Sequence, residues 1–366
     1  MRRVTHVFGP AYLDRVVLVD RSLHQSGRPP LDQSVDGTWR FGTGLTLRDR
    51  LGNELLIEPP PGWPGPTGAI TLSTHFESEE GAATRTVRAV SWHDDLGGMG
   101  AGYAAALDGE LFSALGDDSD AMSGVVSDRL WFANIRHRPI VVDGRQADWT
   151  LLVTSGPFGD KLPIGFRGCH AAIGSLAKEL KEAGPCDLRV VASFPNRLAA
   201  EALKADGARV RFFAPAMRNM TDRSMPVGRF AGSIDVLCCN RREWESLEDR
   251  EQVAWQVSVL AVTNGPDGSV VRFTTPEGEA GYVTVPAFPR ERPPRDTNRA
   301  GEAYASTLVS TLLDHRWTPG VTATSLVRLA AERASAAAAL ELDRADFGFP
   351  RDDEIDAVLE NGRVPG

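Results

Sequence analysis

The sequence predicts an α/β protein with a largely parallel central sheet and helices on both faces. Two observations carry that expectation. From about Ile140 onward, short strand-like runs alternate with segments of helical periodicity, the pattern of strand–helix–strand crossovers. Each stretch with unusual chemistry also falls just after a strand or at a helix start, where open α/β sheets bind ligands. The 366 residues allow a substantial core, and 42% hydrophobic with 24% charged residues is ordinary for a soluble globular chain.

Charge narrows the function classes. A net charge of −9 and a pI near 5.4 argue against nucleic acid as the main partner. No window approaches the apolar length of a membrane span. The apolar run after Met1-Arg2-Arg3 is broken by His6 and Gly9 and is too short for a signal peptide. Cys169, Cys186, Cys238 and Cys239 show neither CxxC pairing nor zinc spacing, so they read as reduced structural thiols of a cytoplasmic protein.

Val4–Phe8, followed by Gly9 and Asp14, reads as a buried first strand turning into a loop. From Val16 to Val90, short strand-like runs mix with turn chemistry. The prolines of Glu58–Pro66 exclude helix and central strand, and Thr84–Val90 reads as an edge strand. Asp95–Leu107 is a glycine-rich turn running into an Ala-rich helix, which suits close approach of backbone to a ligand. With no clear strand before it and no acidic residue at the right distance, it is not a dinucleotide fingerprint, which disfavours a dehydrogenase. Asp117 and Asp118 fit a surface turn.

The alternation then runs through strands Ile140–Val142 and Thr150–Thr154, helix His170–Ala183, strand Leu188–Ala192, helix Arg197–Ala205, and strands Val210–Phe213 and Ile234–Cys238. Asn240 and Glu243, three apart at a helix start, share one side of the first turn and suit a capping pair. Strand Val257–Val262 leads into Thr263–Gly268, a turn before strand Ser269–Phe273, and Tyr282–Val285 is a further strand. Helices Thr324–Leu342 and Asp352–Leu359 close the chain. No GxxxxGK[ST] segment occurs, which excludes a P-loop, and no internal repeat is present.

The densest chemistry lies in Arg295–Tyr304. Asp296, Thr297 and Asn298 favour a helix N-cap, and apolar residues recur at helical spacing from Tyr304 through Leu308 and Leu312. Ala300 and Gly301 leave the first N–H groups accessible, and such a helix start is an anion site. Glu302 stands in the first turn. An ordinary capped helix, complementing its own dipole, has the same residue types.

This segment resembles the Asp-Thr-x-Gly-Ala-Gly-Asp signature of the ribokinase-like (PfkB) family of carbohydrate and nucleoside kinases. Asp296, Thr297, Ala300 and Gly301 match, whereas Arg299 replaces Gly or Ala and Glu302 replaces Asp. Gly9 and Asp14 are similar to the family's sugar-binding strand end, and Gly97-Gly98 to its Gly-Gly-x-x-x-Asn motif with Gly102 in place of Asn. Asn240 and Glu243 match its Asn-x-x-Glu, Thr263, Gly265 and Gly268 its Thr-x-Gly-x-x-Gly nucleotide loop, and Leu115–Asp118 resembles its Gly-x-Asp element as well as it fits a surface turn. The motifs keep the family's order over nearly the whole chain.

The resemblance implies a single ribokinase-like domain over residues 1–366, a three-layer sandwich with a small β-sheet lid. The lid strands and an insertion would fall within about residues 16–95, the 82 residues from 15 to 96 being long for a plain lid. It implies ATP-dependent phosphoryl transfer to a hydroxyl of a sugar or nucleoside, with ATP and Mg2+ and room for a monovalent cation. Asp14, Gly97, Gly98 and Asp296 would hold the acceptor, and Asn240, Glu243, Thr263, Gly265 and Gly268 the nucleotide, with Glu243 reaching the metal through water. Glu302 would be the base, beside the anion hole of Ala300 and Gly301. Arg299 would add charge at the γ-phosphate, fill the phosphate's space, or pair with Glu302. The last two readings, together with a Glu302 carboxylate displaced by about 1.5 Å because glutamate is one methylene longer than Asp, describe the alternative, a catalytically impaired nucleotide- or sugar-binding sensor of the same fold. Family members also allow a homodimer through the lid.

Overall fold

The computed structural model describes residues 3–21, 34–40, 44–49, 54–58, 68–73, 84–154, 161–166, 168–292, 294, 298–344 and 346–365. Strands, numbered along the chain, begin with β1 Thr5–Phe8, β2 Tyr12–Val19, β3 Ser34–Arg40, β4 Gly44–Asp49, β5 Glu54–Glu58 and β6 Gly68–Ser73. They continue as β7 Thr84–Gly97, β8 Glu110–Leu115, β9 Arg136–Val141, β10 Trp149–Thr154, β11 Lys161–Phe166 and β12 Cys186–Ala192. The last five are β13 Ala208–Ala214, β14 Val236–Asn240, β15 Val259–Thr263, β16 Ser269–Thr274 and β17 Ala280–Val285. The helices are α1 Met99–Ala106, α2 Ala121–Phe132, α3 Cys169–Ala172, α4 Ala177–Ala183, α5 Asn196–Lys204 and α6 Met217–Met220. They end with α7 Arg241–Glu245, α8 Arg250–Gln256, α9 Ala300–Asp314, α10 Thr324–Glu341 and α11 Asp352–Asn361. Among the described residues no helix is long and apolar enough to cross a membrane.

The chain divides into two compact units, the larger comprising Met1–Ala11, Gly98–Arg145 and Cys169–Gly366. Its nine-stranded sheet has the order β17-β16-β15-β14-β13-β12-β1-β8-β9. All neighbours from β15 to β9 are parallel, and β16 and β17 add an antiparallel edge. Alternate residues of a strand face opposite sides. Phe8, Phe112, Val191, Phe213 and Leu237 therefore share one core with Cys169 of α3, Leu198 of α5 and Val253 of α8. Phe8 and Phe112 stack there at 4.6 Å between ring centroids. Val7, Leu111, Val190, Phe212 and Val236 are buried on the other side, where Tyr103 of α1 meets Phe212 edge-on at 5.3 Å and α9 and α10 complete the layer. The expected arrangement of a mostly parallel sheet with helices on both faces is thus observed. Gly9, Asn240 and Thr263 lie together on the carboxyl edge of this sheet.

The smaller unit comprises Tyr12–Gly97 and Gln146–Gly168, with an eight-stranded sheet in the order β11-β10-β2-β7-β5-β4-β3-β6. Two expectations change here. Thr150–Thr154, read as part of the main alternation, belongs to this sheet, where β10 runs parallel to β2 and antiparallel to β11. Thr84–Val90 is not an edge strand: it opens β7, which pairs with β2 on one side and β5 on the other and runs on to Gly97. A strand therefore does precede the Gly97-Gly98 turn. Its far end carries Asp94 and Asp95, which hide it from a hydrophobicity pattern, and Arg15 on β2 grips Asp94 with hydrogen bonds of 2.8 and 3.0 Å.

The helix expected over His170–Ala183 is broken into α3 and α4. Gly174 and Ser175 occupy the break, and the Ser175 hydroxyl accepts from Ala177 N–H at 3.1 Å instead of continuing a helical turn.

Candidate active site

Helix α9 opens on Arg299, a left-handed residue with φ 62°, and Ala303 N–H closes the first turn on the Arg299 carbonyl at 2.8 Å. The N–H groups of Ala300, Gly301 and Glu302 precede that bond and have no intrahelical acceptor. Gly301 is exposed, and a Cβ there would meet nothing within 4 Å. Behind the first turn, Leu308 and Leu312 and the neighbouring row of Ala305, Val309 and Leu313 are buried, as their spacing predicts. The Tyr304 hydroxyl donates to Ser269 Oγ at 2.8 Å and ties the helix to β16.

Ala300 and Gly301 face a cavity of about 560 Å³. Thr263, Gly265 and Gly268 line it as well, so five of the residues singled out in the sequence share one cavity. Glycine is required at Gly268: φ is 88°, and a Cβ would lie 2.1 Å from the Val285 carbonyl oxygen. Gly268 N–H donates back to Gly265 O at 3.1 Å, and Asn264 N–H to Gly268 O at 2.7 Å, which closes the turn. Phe288, Ala338, Ala339 and Leu342 give the cavity an apolar slot, and Arg290 and Arg292 give it cationic groups. Arg290 binds Asp343, while its Nε and Nη1 are buried with no partner among the described residues. Phe288, Arg290 and Arg292 were not anticipated, because they stand in an irregular segment.

Glu302 is half-buried beside Gly102, where a Cβ would lie 3.4 Å from Glu302 Cγ and 3.4 Å from Phe349 Cζ. Burial raises the Glu302 pKa above the usual carboxylate value, against its own backbone N–H and the Arg299 charge. Glu243 is raised by burial first, with the Glu302 charge adding to it and the hydrogen bonds of Asn240 opposing. Burial, with the Glu243 and Glu302 charges adding, also holds the neighbouring Cys238 thiol protonated.

Asn240 and Glu243 form the capping box of α7: Asn240 Oδ1 accepts from Glu243 N–H at 2.9 Å, and Glu243 Oε2 accepts from Asn240 N–H at 3.0 Å. The ordinary structural role is therefore real. It leaves Glu243 Oε1 without a hydrogen bond among the described residues, in electrostatic reach of Glu302. The partly desolvated Glu243 carboxylate is a hard oxygen donor of the kind magnesium takes, with water filling the remaining positions.

Arg299 is held away from the cavity, although its charge acts on Glu302 and lowers its pKa against the effect of burial. Its Nε lies 3.3 Å from Glu341 Oε1, its guanidinium stands over the Phe347 ring at 5.5 Å, and it does not line the cavity. Gly98 has φ 98° at the N-cap of α1, and a Cβ there would sit 2.3 Å from the Pro10 carbonyl oxygen. In the smaller unit, Asp14 pairs across from Asp95, and its carboxylate lies over Gly97 so closely that a Cβ would be 2.4 Å from Oδ2. Asp296 lies outside the described residues. Asp117 is a turn residue, accepting from Ser119 and Gly144 N–H groups, each at 2.9 Å.

Neither a family model nor a curated protein matches the sequence. Solved structures do match, over nearly the full length. The chain is similar to the nucleoside kinase of Methanocaldococcus jannaschii, an archaeal member of the ribokinase family, at 16% identity and a TM-score of 0.63 over 99% of each chain. It is similar to the ribokinase of Giardia lamblia at 15% identity and a TM-score of 0.66, again over 99% of each chain. The Arabidopsis thaliana ribokinase, solved with ribose and ATP, matches at 15% identity and a TM-score of 0.61, over 98% of this chain and 99% of that one. The likeness shows the fold: this chain has the ribokinase-like α/β fold.

Proposed function

We propose that the protein transfers the γ-phosphoryl group of ATP to a hydroxyl of a sugar or nucleoside. The observation that carries this reading is that the bare start of α9, at Ala300 and Gly301, the Thr263–Gly268 turn and an apolar set of side chains line one cavity. The slot suits a purine base, and the helix start suits its phosphates. Glu302 takes the proton of the acceptor hydroxyl. The acceptor oxygen bonds to the γ-phosphorus while the bond to the β–γ bridging oxygen breaks, and ADP leaves. The N–H groups of Ala300, Gly301 and Glu302 receive the charge that develops on the transferring group. Glu243 and Asn240 would hold magnesium, largely through water; when bound, the ion neutralises phosphate charge.

Asp14 and Gly97, together with Gly98, are proposed for acceptor binding on the sequence resemblance, supported by the packing of the Asp14 carboxylate on Gly97. A carboxylate accepts two hydroxyl hydrogen bonds, which suits a diol. A monovalent cation and a dimer through the smaller sheet belong to the same proposal.

The alternative, a sensor that has lost most catalysis, requires Arg299 to close the site or neutralise Glu302, or the longer Glu302 side chain to misplace the base. The binding of Arg299 to Glu341, and its absence from the cavity lining, weigh against closure of the site by Arg299, while the Arg299 charge on Glu302 and the length of Glu302 keep the alternative for the test. The test is ADP release with ATP and magnesium across a panel of sugars and nucleosides, with Glu302→Gln as control. Acceptor-dependent release that is lost in the variant supports the kinase. Equal release by both proteins would remove Glu302 as the base, and nucleotide binding without release on any acceptor would favour the sensor.

A further inference from the structure

Glu341 ends α10 with a side chain that is 0% exposed. Its Oε1 accepts from Arg299 Nε at 3.3 Å, and its Oε2, 3.8 Å from Arg344 Nε, has no hydrogen-bond partner among the described residues. A buried carboxylate is costly unless paired, and an apolar residue would fill the same place at lower cost. What the carboxylate holds is the residue on which α9 begins. A left-handed conformation is unfavourable for a side-chain-bearing residue by itself. Arg299 is secured at the far end of its side chain, by Glu341, by the Asp346 carbonyl at 3.4 Å and by the Phe347 ring.

We propose that Glu341 is a positioning residue of the phosphate site: by gripping the Arg299 guanidinium it fixes the left-handed turn, and so the direction of the Ala300 and Gly301 N–H groups. Its consequence for catalysis rests on the phosphoryl-transfer reading, while the clamp itself is a property of the free protein. The charged groups facing Glu341 are Arg299 and Glu302 at the start of α9, and Arg344, itself paired with Glu354 of α11; the Arg290–Asp343 pair lies beside them. Burial pushes Glu341 up to about 7, with Arg299 and Arg344 opposing and Glu302 adding. Protonation removes the charge that holds Arg299, so the clamp loosens as pH falls through about 7.

Glu341→Gln keeps the shape and removes the charge. The protection of the Ala303 amide, which donates to the Arg299 carbonyl at 2.8 Å, is read by hydrogen exchange on the nucleotide-free protein; relative to the intrinsic exchange rate at each pH, it should be lower in the variant and should drop in the wild type below about pH 7. Acceptor-dependent turnover should fall roughly ten- to a hundredfold, as expected for a misplaced reacting group. Adding Arg299→Gln should cost little more, because the clamp is already open. Arg299→Gln alone reads the same contact from its other end if Glu341→Gln fails to fold. Unchanged protection of the Ala303 amide in the folded variant overturns the clamp. If the wild type binds no nucleotide, the phosphoryl-transfer reading fails, and the exchange measurement alone judges the clamp.

Discussion

Gly102 and Glu302 are expected to be energetically coupled. The Glu302 atom nearest position 102 is Cγ, 3.4 Å from where a Cβ would be, and in glutamate that atom is a methylene. Gly102→Asn would set an amide against this methylene and against Phe349, an overpacking worth about 1–3 kcal/mol. Glu302→Asp alone would draw the carboxylate back by about 1.5 Å, one C–C bond. A misplacement of about 1 Å costs roughly a hundredfold in rate, or about 2.7 kcal/mol. In the double variant the carboxylate carbon takes the Cγ position, and the Asn amide can donate to it, a charged hydrogen bond worth about 1.5–3 kcal/mol. Turnover of the four proteins should therefore show a coupling of about 1–3 kcal/mol, with the double variant no slower than Glu302→Asp. Losses that simply multiply would refute the contact and with it the idea that the two residues are matched.

Gly268→Ala should destabilise the protein by about 3 kcal/mol or more, since the Val285 carbonyl clash adds to a backbone conformation, φ 88° and ψ −136°, that essentially only glycine adopts; a denaturant melt checks this. Gly301→Ala should leave stability nearly unchanged, because its Cβ enters open space, yet weaken nucleotide binding in a calorimetric titration. The rate should rise with pH through the raised Glu302 pKa, where the base form appears, and Glu302→Gln should abolish that dependence. Burial holds His137 down at about 4, against the Ser113 hydrogen bond and with His170 assisting. Its folded value lies below the unfolded one, so the unfolded chain binds more protons in between. Stability should fall as pH is lowered from about 6.5 to about 4, by at most about 3 kcal/mol. His137→Gln should flatten that loss in thermal melts.

The legible parts of this protein are those that local chemistry decides. The stripe of α9 is visible as helical spacing, the Asn240–Glu243 box as two reciprocal caps, and the Thr263–Gly268 turn as glycines at positions that need positive φ. What could not be read depends on distant partners. Arg299 and Glu341 are 42 residues apart, and either alone looks like a surface charge. The sheet that receives Trp149–Thr154 is set by its ladder to β2, more than a hundred residues earlier in the chain. The polar end of β7 is a strand because β2 pairs with it, against its own composition. Arg290 acquires its place in the cavity only once α10 has packed beside the irregular segment that carries it.

The most direct test of the account is calorimetric titration of ATP with magnesium into the wild type and into Ala339→Phe. Ala339 lines the apolar slot, and a phenyl ring there would fill it. The account predicts saturable binding by the wild type and its loss in a variant that stays folded. Equal binding by both proteins, or none by the wild type, would contradict the claim that this cavity is the phosphate donor's site.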